Sequence, residues 1–164
     1  MKEVEEVKEA EGGGADKELR PNIVGFACQW CAYQSADMAG TLKYEYPPTI
    51  KLIQVPCSGG VDARFVLEAL ALGADGVFVA GCPEAECHYR YGNRIARIRT
   101  AMIRNILPEF GIESARVRFE QISSSDAAKF AKFAKSFDEQ VRKLGPSPLS
   151  KLRSDTGGRG EKAR

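Results

Sequence analysis

The sequence predicts a single α/β domain with a four-stranded parallel sheet and helices on both faces. Three observations predict it. Four short apolar runs alternate in series with four longer stretches of helical periodicity, the pattern of strand–helix units joined by right-handed crossovers. The third run, GVFVAG at 76–81, is apolar at nearly every position, as a central parallel strand covered on both faces requires. Both ends of the chain are rich in Gly, Lys, Glu, Ser or Pro and poor in large apolar residues, so they bury too little surface to offset their ordering entropy. The expected division is a disordered acidic tail over 1–22, a compact domain over 23–145 and a disordered basic tail over 146–164.

The elements follow in order. IVGFA (23–27) reads as the first strand, followed by a helix through YQSADMAGTLKYE. IKLIQVP (50–56) is the second strand. DARFVLEALALG is then a helix with Asp62 as its N-cap and Gly73 as its stop. After the third strand, GNRIARIRTAMIRNILPEFG carries Ile95, Ile98, Met102 and Ile106 as an apolar stripe and is ended by Pro108. VRFEQIS (117–123) is the fourth strand. The last helix places Phe130, Phe133, Phe137, Val141 and Leu144 on one face, between Asp126 as cap and Gly145 as stop. Such a stripe ordinarily marks a buried face. A flavodoxin-like order, 2-1-3-4, puts the switch point between strands one and three.

Composition narrows the class. The net charge of +2 divides unevenly: residues 1–22 carry −3, residues 146–164 carry +3 and the centre carries +2. A modest overall charge makes no case for nucleic-acid binding. No run of eighteen or more apolar residues is present, and the acidic N-terminal stretch lacks the apolar core of a secretory signal. The expected setting is the cytoplasm, without a membrane span. There thiols stay reduced, and grouped cysteines more often serve metal or redox chemistry than disulfides. An odd count of five also fits a disulfide framework poorly.

Those five cysteines carry the chemistry. Cys28 and Cys31 follow strand one in FACQWCAY, Cys57 follows strand two in VPCSGG, and Cys82 and Cys87 follow strand three in GCPEAECHYRYG. In a parallel sheet all strand C-termini share one edge, where open α/β folds build their sites. A lone cysteine is ordinarily a small buried hydrophobe. Five at strand ends, with none in a helix or tail, point instead to one shared thiol site. Spacing leaves three occupants open. Zinc takes four tetrahedral ligands, which Cys-x2-Cys and Cys-x4-Cys supply. An iron–sulfur cluster takes four thiolates. A dithiol–disulfide relay needs only Cys28 and Cys31. Structural zinc usually supports domains with poor cores, which this is not.

Weaker signals surround the cysteines. His88, the only histidine, reads as a ligand, a donor to sulfur or an exposed loop residue. SGGVD precedes a helix as phosphate loops do, but neither GxGxxG nor GxxxxGK[ST] is present, so its glycines are assigned to a close turn around the thiols. Arg90, Arg94, Arg97 and Arg104 recur at helical spacing. They read as a solvated face, as cations that soften a cluster's negative charge, or as a docking face for an acidic partner. Trp30, Tyr33, Tyr89 and Tyr91 flank the thiols as packing, shield or contact surface.

FACQWCAY, VPCSGGVD and GCPEAECHYRYGN, in this order, resemble the iron–sulfur delta subunit of methyl-viologen-reducing hydrogenase, a family linked to heterodisulfide reductase in methanogenesis. The resemblance covers about residues 22–145. It implies a 2Fe–2S cluster and a non-catalytic electron-transfer subunit of an oxidoreductase complex. Its expected partners are the flavin subunit of heterodisulfide reductase and the hydrogenase large and small subunits, or another electron-donating dehydrogenase. No nucleic acid and no membrane are expected among them. It implies ligand roles for Cys28, Cys31, Cys57, Cys82 and Cys87, of which a cluster needs four. The switch point favours Cys28, Cys31, Cys82 and Cys87, on the loops leaving strands one and three. Cys57 is then a fifth or alternative ligand. The readings that compete with an electron carrier are a zinc-stabilised adaptor and a Cys28/Cys31 oxidoreductase.

Overall fold

The computed structural model describes residues 20–149. Nearly all of both expected tails lies outside the described residues. Four strands, Ile23–Cys28 (β1), Ile50–Val55 (β2), Gly76–Gly81 (β3) and Val117–Gln121 (β4), alternate with four helices. The helices are Ala32–Thr41 (α1), Ala63–Ala71 (α2), Gly92–Ile106 (α3) and Ala127–Leu144 (α4). The sheet is parallel throughout, in the order β2-β1-β3-β4. This is the flavodoxin-like order expected, with helices on both faces.

Side-chain alternation divides the core into two layers. Phe78 and Ala80 of β3 point to the side holding Ala32, Ala36 and Ala39 of α1 and Phe130, Phe133 and Phe137 of α4. Val77 and Val79 point to the other side, with Val66 and Leu70 of α2 and Ala96, Ile103 and Leu107 of α3 and its continuation. The phenylalanine stripe of α4 is therefore core, as its periodicity predicts. Phe78 sits edge-on to both Phe133 and Phe137, at centroid distances of 5.1 and 5.8 Å. Gly25 on β1 makes room for that ring, since a Cβ there would lie 2.1 Å from Phe78 Cζ.

The helix caps are those expected. Asp62 accepts from Arg64 N–H at 2.9 Å and Asp126 from Lys129 N–H at 3.0 Å. Gly73 and Gly145 close their helices with φ of +98° and +74°, a region open to glycine. α1 ends at Thr41, four residues before its expected end, and Leu42 N–H and Tyr44 N–H return to the carbonyls of Met38 and Ala39.

α3 departs from the expectation in a more consequential way. Its buried face is Gly92, Asn93, Ala96, Thr100 and Ile103. The apolar stripe Ile95, Ile98, Met102 and Ile106 faces solvent, each residue 45–64% exposed. Two polar side chains fix this rotation. Asn93 donates from Nδ2 to the carbonyls of Cys82 (3.1 Å) and Pro83 (2.8 Å). Arg99 donates from Nη1 to the carbonyls of Gly59 (3.0 Å) and Val61 (2.5 Å).

Packing continues past residue 145. Arg116, fully buried, pairs with Glu113 at 2.7 Å and donates to the carbonyls of Asp75, Leu144 and Gly145. Ser147 N–H donates to Asp75 Oδ1 at 2.8 Å. These bonds hold the end of α4 against the start of β3.

Candidate metal centre

The C-terminal ends of β1, β2 and β3 make one rim, and the five cysteines gather there. Cys28 ends β1, and Cys31 is the N-cap of α1. Cys57 precedes a single 3-10 turn, Ser58–Gly60. Cys82 begins the loop from β3 to α3, and Cys87 lies at its middle. None is in a disulfide.

Cys28, Cys31 and Cys82 are buried, and their Sγ atoms all lie within 4.8 Å of one another. Cys28 Sγ and Cys82 Sγ are 4.0 Å apart. Two thiolates on one tetrahedral ion, at a metal–sulfur distance of ~2.3 Å, stand ~3.8 Å apart. The donor set therefore fits a thiolate-bound metal.

Cys57 and Cys87 are half-buried and converge over the first residue of α3. A Cβ built on Gly92 would lie 2.2 Å from Cys57 Sγ and 3.4 Å from Cys87 Sγ. Glycine is required here because sulfur occupies the space a side chain would take. Cys87 also packs against the core layer that contains the buried three cysteines.

The loops are braced from several directions. Gly59 meets the α3 backbone so closely that a Cβ on it would lie 2.6 Å from Gly92 Cα. Arg99 ties the same turn down by its carbonyls. Asn93 fixes the start of the β3–α3 loop, and Ala85 and Arg90 turn that loop with φ of +64° and +67°. Trp30 stacks on His88 at a centroid distance of 3.9 Å and 13°, joining the Cys28–Cys31 loop to the Cys82–Cys87 loop. Tyr89 meets His88 edge-on at 5.0 Å. On the β2 side, a largely apolar cleft of about 510 Å³ opens beside Cys57, walled by Phe26, Ile53, Val55, Pro56 and Phe65.

The electrostatics suit negative charge. The N-termini of α1 and α3 both lie at the sulfurs, where helix dipoles favour anions. Hydrogen bonds from Cys31 and then Cys82 hold the Cys28 thiol far below its ordinary range. The same bond to Cys28 pushes Cys31 strongly upward, and Cys82 up to about 11. Burial, above all, raises Cys57. Metal entry would release protons from the thiols that bind it.

Sequence reasoning placed all five thiols at one rim, and the structure brings them there. It did not single out Gly92, Asn93 or Arg99. The usable signal was the Gly-Asn pair at the start of α3, a small residue followed by one able to bond loop carbonyls. Of the flanking arginines, Arg97 pairs with Glu84 at 3.5 Å. Trp30, Tyr89 and Tyr91 are exposed around the thiols, and Tyr33 is half-buried against the core.

A doubly wound parallel sheet with a thiol cluster at its strand ends defines an α/β domain suited to bind a metal through cysteine. The match is more particular than that: the chain belongs to the family of the methyl-viologen-reducing hydrogenase delta subunit, whose family model covers residues 23–145. It is 54% identical over 130 residues to the iron-sulfur subunit of the F420-non-reducing hydrogenase of Archaeoglobus profundus, spanning 79% of this chain and 95% of that one. It is 43% identical over 129 residues to the iron-sulfur subunit of the F420-non-reducing hydrogenase vhc of Methanococcus voltae, spanning 79% and 90%. A third relative belongs to the ferredoxin/F420H2-dependent CoB-CoM heterodisulfide reductase of Methanosarcina acetivorans. It is the A subunit of that enzyme and is 40% identical over 132 residues. The match spans 80% of this chain and only 17% of the relative, so a domain like this one forms part of a longer polypeptide there. No helix among the described residues is long and apolar enough to cross a membrane.

Proposed function

We propose that this chain is a cytoplasmic electron-transfer subunit carrying a 2Fe–2S cluster. It passes electrons between a hydrogenase, or another electron-donating dehydrogenase, and the flavin subunit of a heterodisulfide reductase-type complex. The observation that carries the reading is the approach of Cys28, Cys31 and Cys82 to within 4.8 Å at the rim, with Cys87 packed against the same core layer. Relatives named as hydrogenase iron–sulfur subunits support the cluster. The relative in which such a domain is joined to a heterodisulfide reductase A subunit supports that partner.

Cys28, Cys31, Cys82 and Cys87 hold the cluster, and Cys57 stands beside it as a fifth or alternative ligand. When bound, the cluster supplies one-electron storage. The chain's own residues do the rest. Buried Cys28, Cys31 and Cys82 exclude water, Asn93 holds the Cys82 loop, and the α1 and α3 N-termini and nearby Arg90 and Arg94 favour the more reduced, more negative state.

Anaerobic purification tests the reading. The expected product is brown, holds two irons per chain and is bleached by dithionite. A colourless chain with one zinc would establish the adaptor instead. A metal-free chain titrating as a two-electron dithiol would establish the Cys28/Cys31 oxidoreductase. Serine at Cys28, Cys31, Cys82 or Cys87 should abolish or convert the visible spectrum, while Cys57→Ser retains two irons. Iron lost from Cys57→Ser alone would refute the ligand set.

A further inference from the structure

We infer that the solvent face of α3 is a docking surface for a protein partner that presents an apolar ridge edged by carboxylates. Ile95, Ile98, Met102 and Ile106 recur every three or four residues, so they form one continuous strip. Phe110, just beyond the helix, is also exposed, at 74%. Scattered exposed apolar residues are ordinary, but four in one row on a helix mark a surface that something covers. The strip begins three residues, about 4.5 Å of helix rise, from Gly92, over which Cys57 and Cys87 meet. A partner seated there is next to the thiol site.

Charge selects the occupant. α3 carries four arginines and no acidic or lysine residue over its whole length. Arg99 is committed to the Gly59 turn, and Arg97 faces Glu84 across 3.5 Å. Arg94 and Arg104 are exposed and form no ion pair with any described residue. By helical angle Arg94 borders the strip beside Ile98, whereas Arg97 and Arg104 lie on the far side of the helix and wall the groove between α3 and β4 with Glu120 and Lys129. A second copy of this chain is a poor match. A copy's α3 would bring only arginines and no carboxylate to meet Arg94. Arginine and methionine without lysine is the composition of a protein interface, since arginine forks onto carboxylates. A helix lying on a membrane instead carries basic residues along a whole polar face, with aromatic anchors in the apolar one.

The inference rests on the electron-transfer reading for its choice of probe, the purified A subunit of heterodisulfide reductase. Binding to the anaerobically prepared full chain is measured by interferometry at two salt concentrations. Ile98→Asp with Met102→Asp should weaken binding at least tenfold, with melting temperature and visible absorbance unchanged. Arg94→Glu should weaken it about threefold or more and flatten its salt dependence. Lys132→Glu with Lys135→Glu, on exposed positions of α4 in the opposite layer, should leave it unaltered. Wild-type affinity in both α3 variants would overturn the inference. So would anionic phospholipid vesicles, or a second copy detected by ultracentrifugation, binding at α3 in place of that probe. If α3 variants lose binding while the wild-type complex passes no electrons, the docking surface stands and the electron-transfer reading fails.

Discussion

Gly59 and Gly60 are neighbours in one turn, yet they should respond oppositely to a methyl group. On Gly59, the added Cβ would lie 2.6 Å from Gly92 Cα and 2.9 Å from its carbonyl oxygen. Ordinary carbon contacts are ~3.5–4.0 Å, so the turn and the start of α3 must separate by about 1 Å. Both partners are backbone, so no side-chain rotation relieves the clash. Overpacking of this kind costs about 1–3 kcal/mol. Separation also stretches the two bonds from Arg99 to the Gly59 and Val61 carbonyls, each worth about 1 kcal/mol. Gly59→Ala should therefore destabilise the domain by about 3 kcal/mol. On Gly60 the same Cβ meets nothing within 4 Å, and its φ lies outside the left-handed range. Gly60→Ala should be neutral or stabilising by about 0.5 kcal/mol, through the unfolded chain. Urea denaturation of the two variants, followed by circular dichroism, reads the difference directly. Variants that agree within about 0.5 kcal/mol would show that the two backbones do not bear on each other.

Three further outcomes follow from the packing. Gly25→Ala drives a methyl into Phe78, whose ring is wedged edge-on between Phe133 and Phe137; a loss of about 3 kcal/mol is expected in the same assay. Arg116→Met removes a guanidinium that serves Glu113 and four backbone carbonyls, and should cost about 3 kcal/mol; a loss below 1 kcal/mol would mean the clamp is ornamental. Tyr46, whose ring meets Phe130 at 5.2 Å, has its phenol pushed up by burial and, less, by Asp37 and Tyr33. The fold thus favours the protonated phenol. That contribution is complete below the unfolded value of about 10 and fades as pH rises through the folded one. Tyr46→Phe should lose less stability than wild type between pH 9 and 11, and identical slopes in urea midpoints would rule the effect out.

The strand order and the common rim were legible because they follow from counting. Four strand–helix units in series leave few parallel topologies, and IVGFA and GVFVAG are apolar enough to be central. The caps at Asp62 and Asp126 were equally local, each a side chain bonding a backbone N–H two or three residues on. The rotation of α3 was not legible. Periodicity finds the apolar side of a helix, but the side that packs here is the small one, Gly92, Ala96 and Thr100, chosen by bonds from Asn93 and Arg99 to distant loops. Those bonds join residues 10 to 40 apart, beyond the reach of any window of sequence. The meeting of Cys57 with Cys87 was hidden for the same reason, since it depends on a glycine contact between Gly59 and Gly92.

Every cysteine lies between residues 28 and 87, while β4 and α4, which close the sheet and cover Phe78, come afterwards. During synthesis, all five sulfurs thus leave the ribosome before the wall that shelters three of them has been made. A metal delivered early would find an open rim, and one delivered late would find Cys28, Cys31 and Cys82 already buried. Chain order therefore sets how enclosed the thiols are when a metal reaches them.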